Sequence, residues 1–371
     1  MQYKVVVMGK SLIFSDLHLH SHKKNVDRLN DCLEVLDWTL KEAVVNECED
    51  ILFLGDLFHE RSKIDILNYL RAFEKFMTFN HEHPEINVWL LVGNHDMYHK
   101  ERWDVNSVKP LTAIPNVHII EKPQTVEIQG VKVDFIPHVE NPLGELEKLK
   151  AGRSDADLQL LLCHLAVHGA TLNTLYATTA DVIVEHDDVM EIVTPDVFAD
   201  WTQTFLGHYH APQVLTSDGS VEYIGSPLEL SFGEAYQDKH IMIFDMDTFQ
   251  KKYIDNDFSP KHLMVPSSDI DKVDLEKNFV KIIVEDMGSK ELVDLRKKLV
   301  EKNVADVSFK SKEKKKEDAA EVENAKAILY KSDEMLEEYI KSVGTPAGID
   351  HDKLLKIGKQ ILQKGTEAKD E

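Results

Sequence analysis

The sequence predicts an α/β fold organised around one rim of polar residues, and two observations carry that reading. Short apolar runs recur along the chain, each stopping abruptly at Gly, Asp, Asn or His, and helical stretches separate the first three. Leu12-Ile13-Phe14 runs into Ser15-Asp16-Leu17-His18, and Ile51 to Leu54 runs into Gly55-Asp56-Leu57-Phe58-His59. Val88 to Val92 runs into Gly93-Asn94-His95-Asp96, Leu160 to Cys163 into His164, and Thr204 to Leu206 into Gly207-His208-Tyr209-His210. Such runs read as buried strands. Ligand sites of open α/β sheets gather at the carboxyl ends of strands. Five strands are therefore expected to deliver Asp, His and Asn side chains to one rim, as a metal site would require.

The elements follow in order. Val26 to Glu47 carries Leu29, Leu33, Leu36, Leu40 and Val44 at helical spacing, and Ile64 to Phe79 forms a second amphipathic helix before Pro84. The gaps between the first three strands suit βαβ units. From about residue 115 the texture becomes short β segments, Val117–Ile120, Thr125–Ile128 and Val131–Ile136, with Gly130 as a hairpin turn. A charged helix over 141–157 precedes a return to the sheet at Leu158–Cys163. Val221–Pro227 and His240–Phe244 close a first domain, 1–248, at the turn Asp245–Thr248. A second unit, 249–309, holds a strand at Phe279–Val284, a helix at Glu291–Lys302 and a strand at Val304–Phe309. Residues 310–318 are a charged linker, and 319–371 read as helix, turn, helix with apolar faces suited to a partner's groove. Gly9-Lys10-Ser11 imitates the end of a phosphate-binding loop, but Lys4 stands where its first Gly belongs.

Composition bounds the function. A chain of 371 residues with 43% hydrophobic and 29% charged residues is globular and long enough for two or three domains. No apolar run approaches the roughly 20 residues that span a bilayer, and no signal peptide is expected. Cys32, Cys48 and Cys163 lack paired spacing, which fits a reducing compartment, the cytoplasm (the host's, for a viral protein). The net charge of −23 is opposite to that of a free-standing nucleic-acid binder. Either the substrate is no polyanion, or metals and a basic partner supply the positive field.

Carboxylate, imidazole and amide donors together suit Mn, Fe or Zn. Two metals roughly 3.5–4 Å apart need a bridging Asp and act on phosphoryl groups. Asn94 contributes a neutral oxygen, and His95 beside it is placed as a general acid. Asp96 reads as a structural acceptor, and His168 as a neighbour of the site or a surface residue. His20, His22, His81, His83 and His99 read as exposed loop residues.

Asp16-Leu17-His18, Gly55-Asp56, Gly93-Asn94-His95-Asp96, His164 and Gly207-His208-Tyr209-His210 together resemble the calcineurin-like metallophosphoesterase pattern, over about residues 10–245. Within that superfamily the chain resembles the SbcD/Mre-type nucleases, particularly the short versions in tailed phages. Gly55 to His59, Tyr223-Ile224-Gly225-Ser226-Pro227 and Met335 to Ile340 narrow it. His59-Glu60-Arg61-Ser62 stands where the superfamily's protein phosphatases carry Asp-Arg-Gly.

The resemblance implies a two-sheet metallophosphoesterase sandwich flanked by helices, a small α/β capping domain and a C-terminal helix-loop-helix. It implies two divalent metal ions, with manganese expected. One would be held by Asp16, His18, Asp56 and His210, the other by Asp56, Asn94, His164 and His208. His95 would be the proton donor and His59 a phosphate-stabilising or orienting partner. The implied activity is a DNA nuclease, exo- or endonucleolytic, working in recombination and double-strand-break processing. Its partner would be an SbcC-type SMC-like ATPase held by the C-terminal helices, with a homodimer formed through helices near Ile64–Phe79 and Val105–Leu111. Two other readings compete: a stand-alone enzyme acting on a small phosphodiester, and a weakly catalytic scaffold for DNA ends.

Overall fold

The computed structural model describes residues 9–21, 26–99, 102–152, 159–173, 178–179, 183–186, 189–285 and 287–311. All of them belong to one compact unit that ends at Ser311. The helix-loop-helix expected over 319–371 and the linker from 312 onward lie outside the described residues.

Two six-stranded sheets form the body. In the first, Lys10–Phe14, Cys48–Phe53, Asn87–Leu91 and Val117–Ile120 run parallel, and His240–Asp245 and Lys251–Asp255 continue antiparallel beyond Lys10–Phe14. In the second, Val131–Ile136, Gln159–His164, Gln203–Gly207 and Val221–Tyr223 are parallel, edged by the antiparallel strands Gln124–Ile128 and Gln213–Val214. Ile13, Leu52 and Leu91 of the first sheet pack with Phe135, Leu162 and Phe205 of the second in one buried cluster. Strands covered on both faces read as continuous apolar runs rather than alternating ones, which is why the sequence marks them so plainly.

Helices α1 (Val26–Val45) and α2 (Ile66–Glu82) cover the outer face of the first sheet. The leucine stripe of α1 lies on its buried face, with Leu29, Leu33, Leu36 and Leu40 all inside. Asp65 caps α2 by accepting the Leu67 N–H at 2.8 Å, and α2 buries Ala72, Phe76 and Phe79. Helix α3 (Pro142–Ala151), with Phe198 and Trp201, covers the outer face of the second sheet. A parallel three-stranded sheet, His262–Pro266, Phe279–Val284 and Asp306–Ser311, packs α4 (Ser289–Glu301) around a core of its own that includes Val280, Ile282 and Leu299.

The structure corrects three expectations. The boundary at residue 248 splits a hairpin, because Lys251–Asp255 pairs with His240–Phe244 and extends the first sheet. The expected helix at Val105–Leu111 is the end of a strand, Arg102–Asn106, hairpinned to Met97–His99, followed by a 3-10 turn at Lys109–Ala113. Its alternating sequence, Trp103-Asp104-Val105-Asn106, carries a two-residue period and not a helical one. Lys310 and Ser311, expected in the linker, are the last rungs of the third sheet.

One buried cation ties these parts together. Arg28 of α1 is 2% exposed, donates to the Glu229 carbonyl at 2.7 Å, and lies 5.1 Å above the Phe279 ring. Its charge is matched by Asp31 at 3.6 Å. Removing one member of a buried charged network leaves the other uncompensated. Arg28→Ala should therefore lower the unfolding free energy in urea by about 3 kcal/mol, whereas an exposed pair such as Arg71–Glu74 should cost less than about 1 kcal/mol to break.

Candidate metal centre

The strand ends of the two sheets meet at one rim. Asp16, His18, Asp56 and Asn94 come from the first sheet, and His164, His208 and His210 from the second. Asp16, His18, Asp56 and His208 have φ of +51°, +47°, +61° and +101°. Few residues other than Gly adopt such values, and those that do cluster at functional sites. The loops hold one another there. Asp16 N–H donates to Gly55 O and His18 N–H to Asp56 O, both at 3.0 Å, while His208 N–H donates to the Asp16 carboxylate at 3.0 Å. Glycine permits the approach at two points. A Cβ on Gly93 would collide with the Asp56 carboxylate and backbone N, and one on Gly207 with Ser15 Oγ and Leu54 O.

The donor atoms converge in three overlapping groups: Asp16, His18 and His210; Asp56, His164 and His208; and His18, His59 and His95. Asp56 lies between the first two, its Oδ2 3.5 Å from His18 Nε2 and 3.4 Å from His164 Nε2. Asn94 Oδ1 lies 2.9 Å from His164 Nε2 and 2.8 Å from His208 Nδ1.

Proton accounting tests whether a cation fits. A carbonyl only accepts, so His164 Nδ1, 2.7 Å from Leu54 O, carries a hydrogen. In neutral His164 the Nε2 lone pair then faces Asn94 Oδ1 and Asp56 Oδ2, two further acceptors. His210 repeats the arrangement. Its Nδ1 lies 2.9 Å from Glu234 Oε1, leaving Nε2 3.0 Å from His18 Nε2. Electron pairs converging without enough protons to share are what a divalent cation satisfies, and the donor chemistry fits one. Protons compete with a cation for these electron pairs. Burial alone would lower His164, but the Asp56 and Asp16 carboxylates outweigh it and raise the imidazole to about 9. Burial would raise Asp56, yet His164, His18 and His95 hold it well below the usual carboxylate range. For His208 burial and His164 outweigh the Asp56 carboxylate and push it down to about 3.

The other expected residues are also located. His95 is half-buried. Its N–H donates to Asp56 Oδ1 at 2.7 Å, and its Nδ1 lies 2.6 Å from the His59 carbonyl, so that carbonyl fixes the proton on Nδ1. The His59 ring stacks on His95 at 5.7 Å. Asp96, fully buried, accepts the N–H groups of Gly93, Asp56 and Leu57 at 3.0, 2.8 and 3.1 Å. Burial and the neighbouring Asp56 raise it to about 7. His168 joins none of the three groups. His20, expected in an exposed loop, instead packs 5.0 Å from the His59 ring, and its Nδ1 lies 2.6 Å from the His18 carbonyl.

Sequence reasoning missed two supports. Glu234 accepts from His210 Nδ1, and its other oxygen accepts from Lys239 Nζ at 2.8 Å and Ser226 Oγ at 3.1 Å. Ser226 lies in the Tyr223–Pro227 motif, but Glu234 and Lys239 lie outside any strand-end motif, so nothing local marked them. His138, with its ring 6.2 Å from His208 and 6.3 Å from His164, is held down to about 4 by burial and His164. It had a signal: Val131–Ile136, expected as a strand, stops at Pro137-His138.

Comparison with known proteins places this rim. The model of the calcineurin-like phosphoesterase family matches residues 9–212, which contain all the candidate donors. The chain belongs to the calcineurin-like phosphoesterase family. It is thereby a hydrolase of phosphate esters whose family works with divalent metals. It is 26% identical to exonuclease subunit 1 of Enterobacteria phage T4 over 319 residues, covering 84% of this chain and 86% of that protein. It is 22% identical to the SbcD component of the SbcCD nuclease of Escherichia coli K12 over 271 residues, covering 65% of this chain and 66% of that one. Among solved structures, a dimetal phosphatase from Danio rerio aligns with 67% of the chain at 12% identity and a TM-score of 0.39.

A ligand imidazole must be neutral at the coordinating nitrogen, so a metal taking His164 as a ligand would have to expel the proton that Asp56 and Asp16 hold on it. With that group at about 9 and His210 also raised, Mn²⁺ binding at pH 7 should release protons. Affinity should rise with pH until it levels near pH 9. Calorimetric titration in buffers of different ionisation enthalpy measures both.

Proposed function

We propose that this chain is the nuclease subunit of a DNA-processing complex, hydrolysing phosphodiester bonds with two divalent ions, most naturally Mn²⁺. The observation that carries the reading is the position of Asp56, one carboxylate between two groups of nitrogen and oxygen donors. Asp16, His18, Asp56 and His210 would hold one ion, and Asp56, Asn94, His164 and His208 the other. Such a pair supplies charge neutralisation at a phosphodiester and a more acidic water. The side chains do the rest. His95, its Nδ1 proton committed to the His59 carbonyl, has Nε2 left to hand a proton to the leaving oxygen. The His59 ring, lowered by burial and by His95, stays neutral and can donate to a phosphate oxygen. Asp96 holds the Gly93 and Asp56 loops in register without touching substrate.

DNA as substrate is supported by the two relatives, a phage exonuclease subunit and a bacterial nuclease subunit. That both are subunits supports a partner, for which an SbcC-type SMC-like ATPase docking on residues 319–371 is our reading. A partner and two dications would also offset the net charge of −23. The acidic charge favours one rival, a stand-alone enzyme for small phosphodiesters.

Purified chain with Mn²⁺ should degrade DNA. Activity on bis(4-nitrophenyl) phosphate alone would leave the rival standing. His95→Asn should keep its metal and cut at least about 10²-fold more slowly, whereas Asp56→Asn should lose both metal content and hydrolysis. Metal content equal to wild type in Asp56→Asn would remove the two-ion reading. A chain ending at Ser311 should keep Mn²⁺-dependent cutting of short single strands and lose the ATPase. If it still co-purifies with the ATPase, the contact lies elsewhere.

A further inference from the structure

Beside the loop that carries His210 lies an open cleft of roughly 500 Å³, lined in part by Pro212, Tyr236, Asp238, His240, Tyr253 and Asp255. Its volume falls in the range of small-ligand sites. Its chemistry is unlike that of the metal rim. Three aromatic rings and two carboxylates line it, with no Lys or Arg among the described lining residues. Burial pushes His240 below its ordinary value and so keeps it neutral. A phosphate would be repelled there. A flat, neutral group with hydrogen-bond donors on its edge would not.

Tyr236 is the distinctive feature. It is 64% exposed, yet it is held rigidly. Its backbone sits at φ +66°, a conformation rare for an L-residue. Its N–H donates to Glu229 Oε1 at 3.2 Å, and its hydroxyl both donates to Met264 O at 2.9 Å and accepts from Met264 N–H at 3.1 Å. A ring anchored at its backbone and at its far tip, with most of its area open to solvent, loses little freedom when something stacks on it. Other lining side chains are also fixed. The Tyr253 hydroxyl donates to Glu222 at 3.0 Å, and the His240 ring stands edge-on to Tyr253 at 4.7 Å. The cleft adjoins the chemistry through the chain itself. Ala211, which also lines it, follows His210, and Glu234, which binds His210 Nδ1, precedes Tyr236 by two residues.

We propose that this cleft takes one unstacked nucleobase of a DNA strand whose backbone passes the metal centre. Tyr236 is the stacking face, and Asp238 and Asp255 accept from exocyclic amino groups. The inference rests on the nuclease reading above and adds a base-binding subsite to it. Stacking on an aromatic side chain is sequence-tolerant and strengthens single-strand binding base by base. The carboxylates favour the bases with an amino edge, adenine, cytosine and guanine, over thymine.

The test walks a single abasic nucleotide along a short single-stranded DNA cut by the full-length chain with Mn²⁺. In wild type, one position near the cut should raise KM about tenfold, the size expected for one stacked base. Tyr236→Ala should raise KM about as much on intact DNA, and the abasic nucleotide should then add nothing. Tyr236→Phe keeps the ring and should stay within about twofold of wild type. Hydrolysis of bis(4-nitrophenyl) phosphate, which has no base, should be unchanged in both variants and also reports that they fold. An abasic penalty that persists in Tyr236→Ala, or Phe failing as badly as Ala, overturns the subsite while leaving the nuclease reading intact. A wild-type chain that cuts the small ester but no DNA overturns both.

Discussion

Two carboxylates buried where water cannot reach them set the terms for this fold. Asp16 and Asp56 are at most 1% exposed, and an isolated buried charge costs far more than a protein's net stability. The chain offsets that cost with a shell of imidazoles and fixed dipoles, although burial still raises Asp16 above its ordinary value. Backbone N–H groups of His95 and His208 donate to the carboxylates, Ser15 Oγ donates to Asp16 at 2.5 Å, and four imidazoles surround the pair. Each device needs the backbone in an unusual place. The left-handed residues, the cross-loop hydrogen bonds and the glycines without room for a Cβ therefore follow from the same requirement. The dry two-sheet sandwich beneath exists to hold those loops still.

Much of this was legible because the strands are buried on both faces. Continuous apolar runs ending in Gly, Asp, Asn or His marked the parallel strands and, with them, the seven candidate donors. The paired helices α1 and α2 were equally plain from their leucine and phenylalanine spacing. What stayed hidden has physical causes. That one rim is shared by two sheets cannot be read from strand order along the chain, and came only from family resemblance. Arg102–Asn106 is short and largely exposed, so its alternation was outweighed by an expected helix. Lys251–Asp255 carries charge at an edge, and an edge strand needs no apolar run.

The supports of the site were the least legible part. Glu234 and Lys239 are charged residues in a loop, and by composition alone they look solvated. Their burial is decided by His210, 24 residues from Glu234, and by the Ser226 hydroxyl. His20 likewise reads as an ordinary loop histidine until the fold brings it against His59. Long-range partners determine such residues, and a local pattern holds no trace of them. His138 differs, since the strand before it was visible and only its neighbours were not.

The segment from Ser226 to Lys239 serves two masters. Glu234, Ser226 and Lys239 brace His210 at the metal rim. Glu229 accepts the backbone N–H groups of Tyr236 and His262, and the Tyr236 hydroxyl grips Met264, in the first strand of the third sheet. The third sheet has its own core and so the means to open as a separate cooperative unit. Its grip on the segment is only one of two. Glu229 and Tyr236 hold His262 and Met264, whereas Glu234, between them in sequence, is held by Ser226, Lys239 and His210. The smaller layer can therefore open and free one flank of the segment while the brace on His210 keeps its own partners.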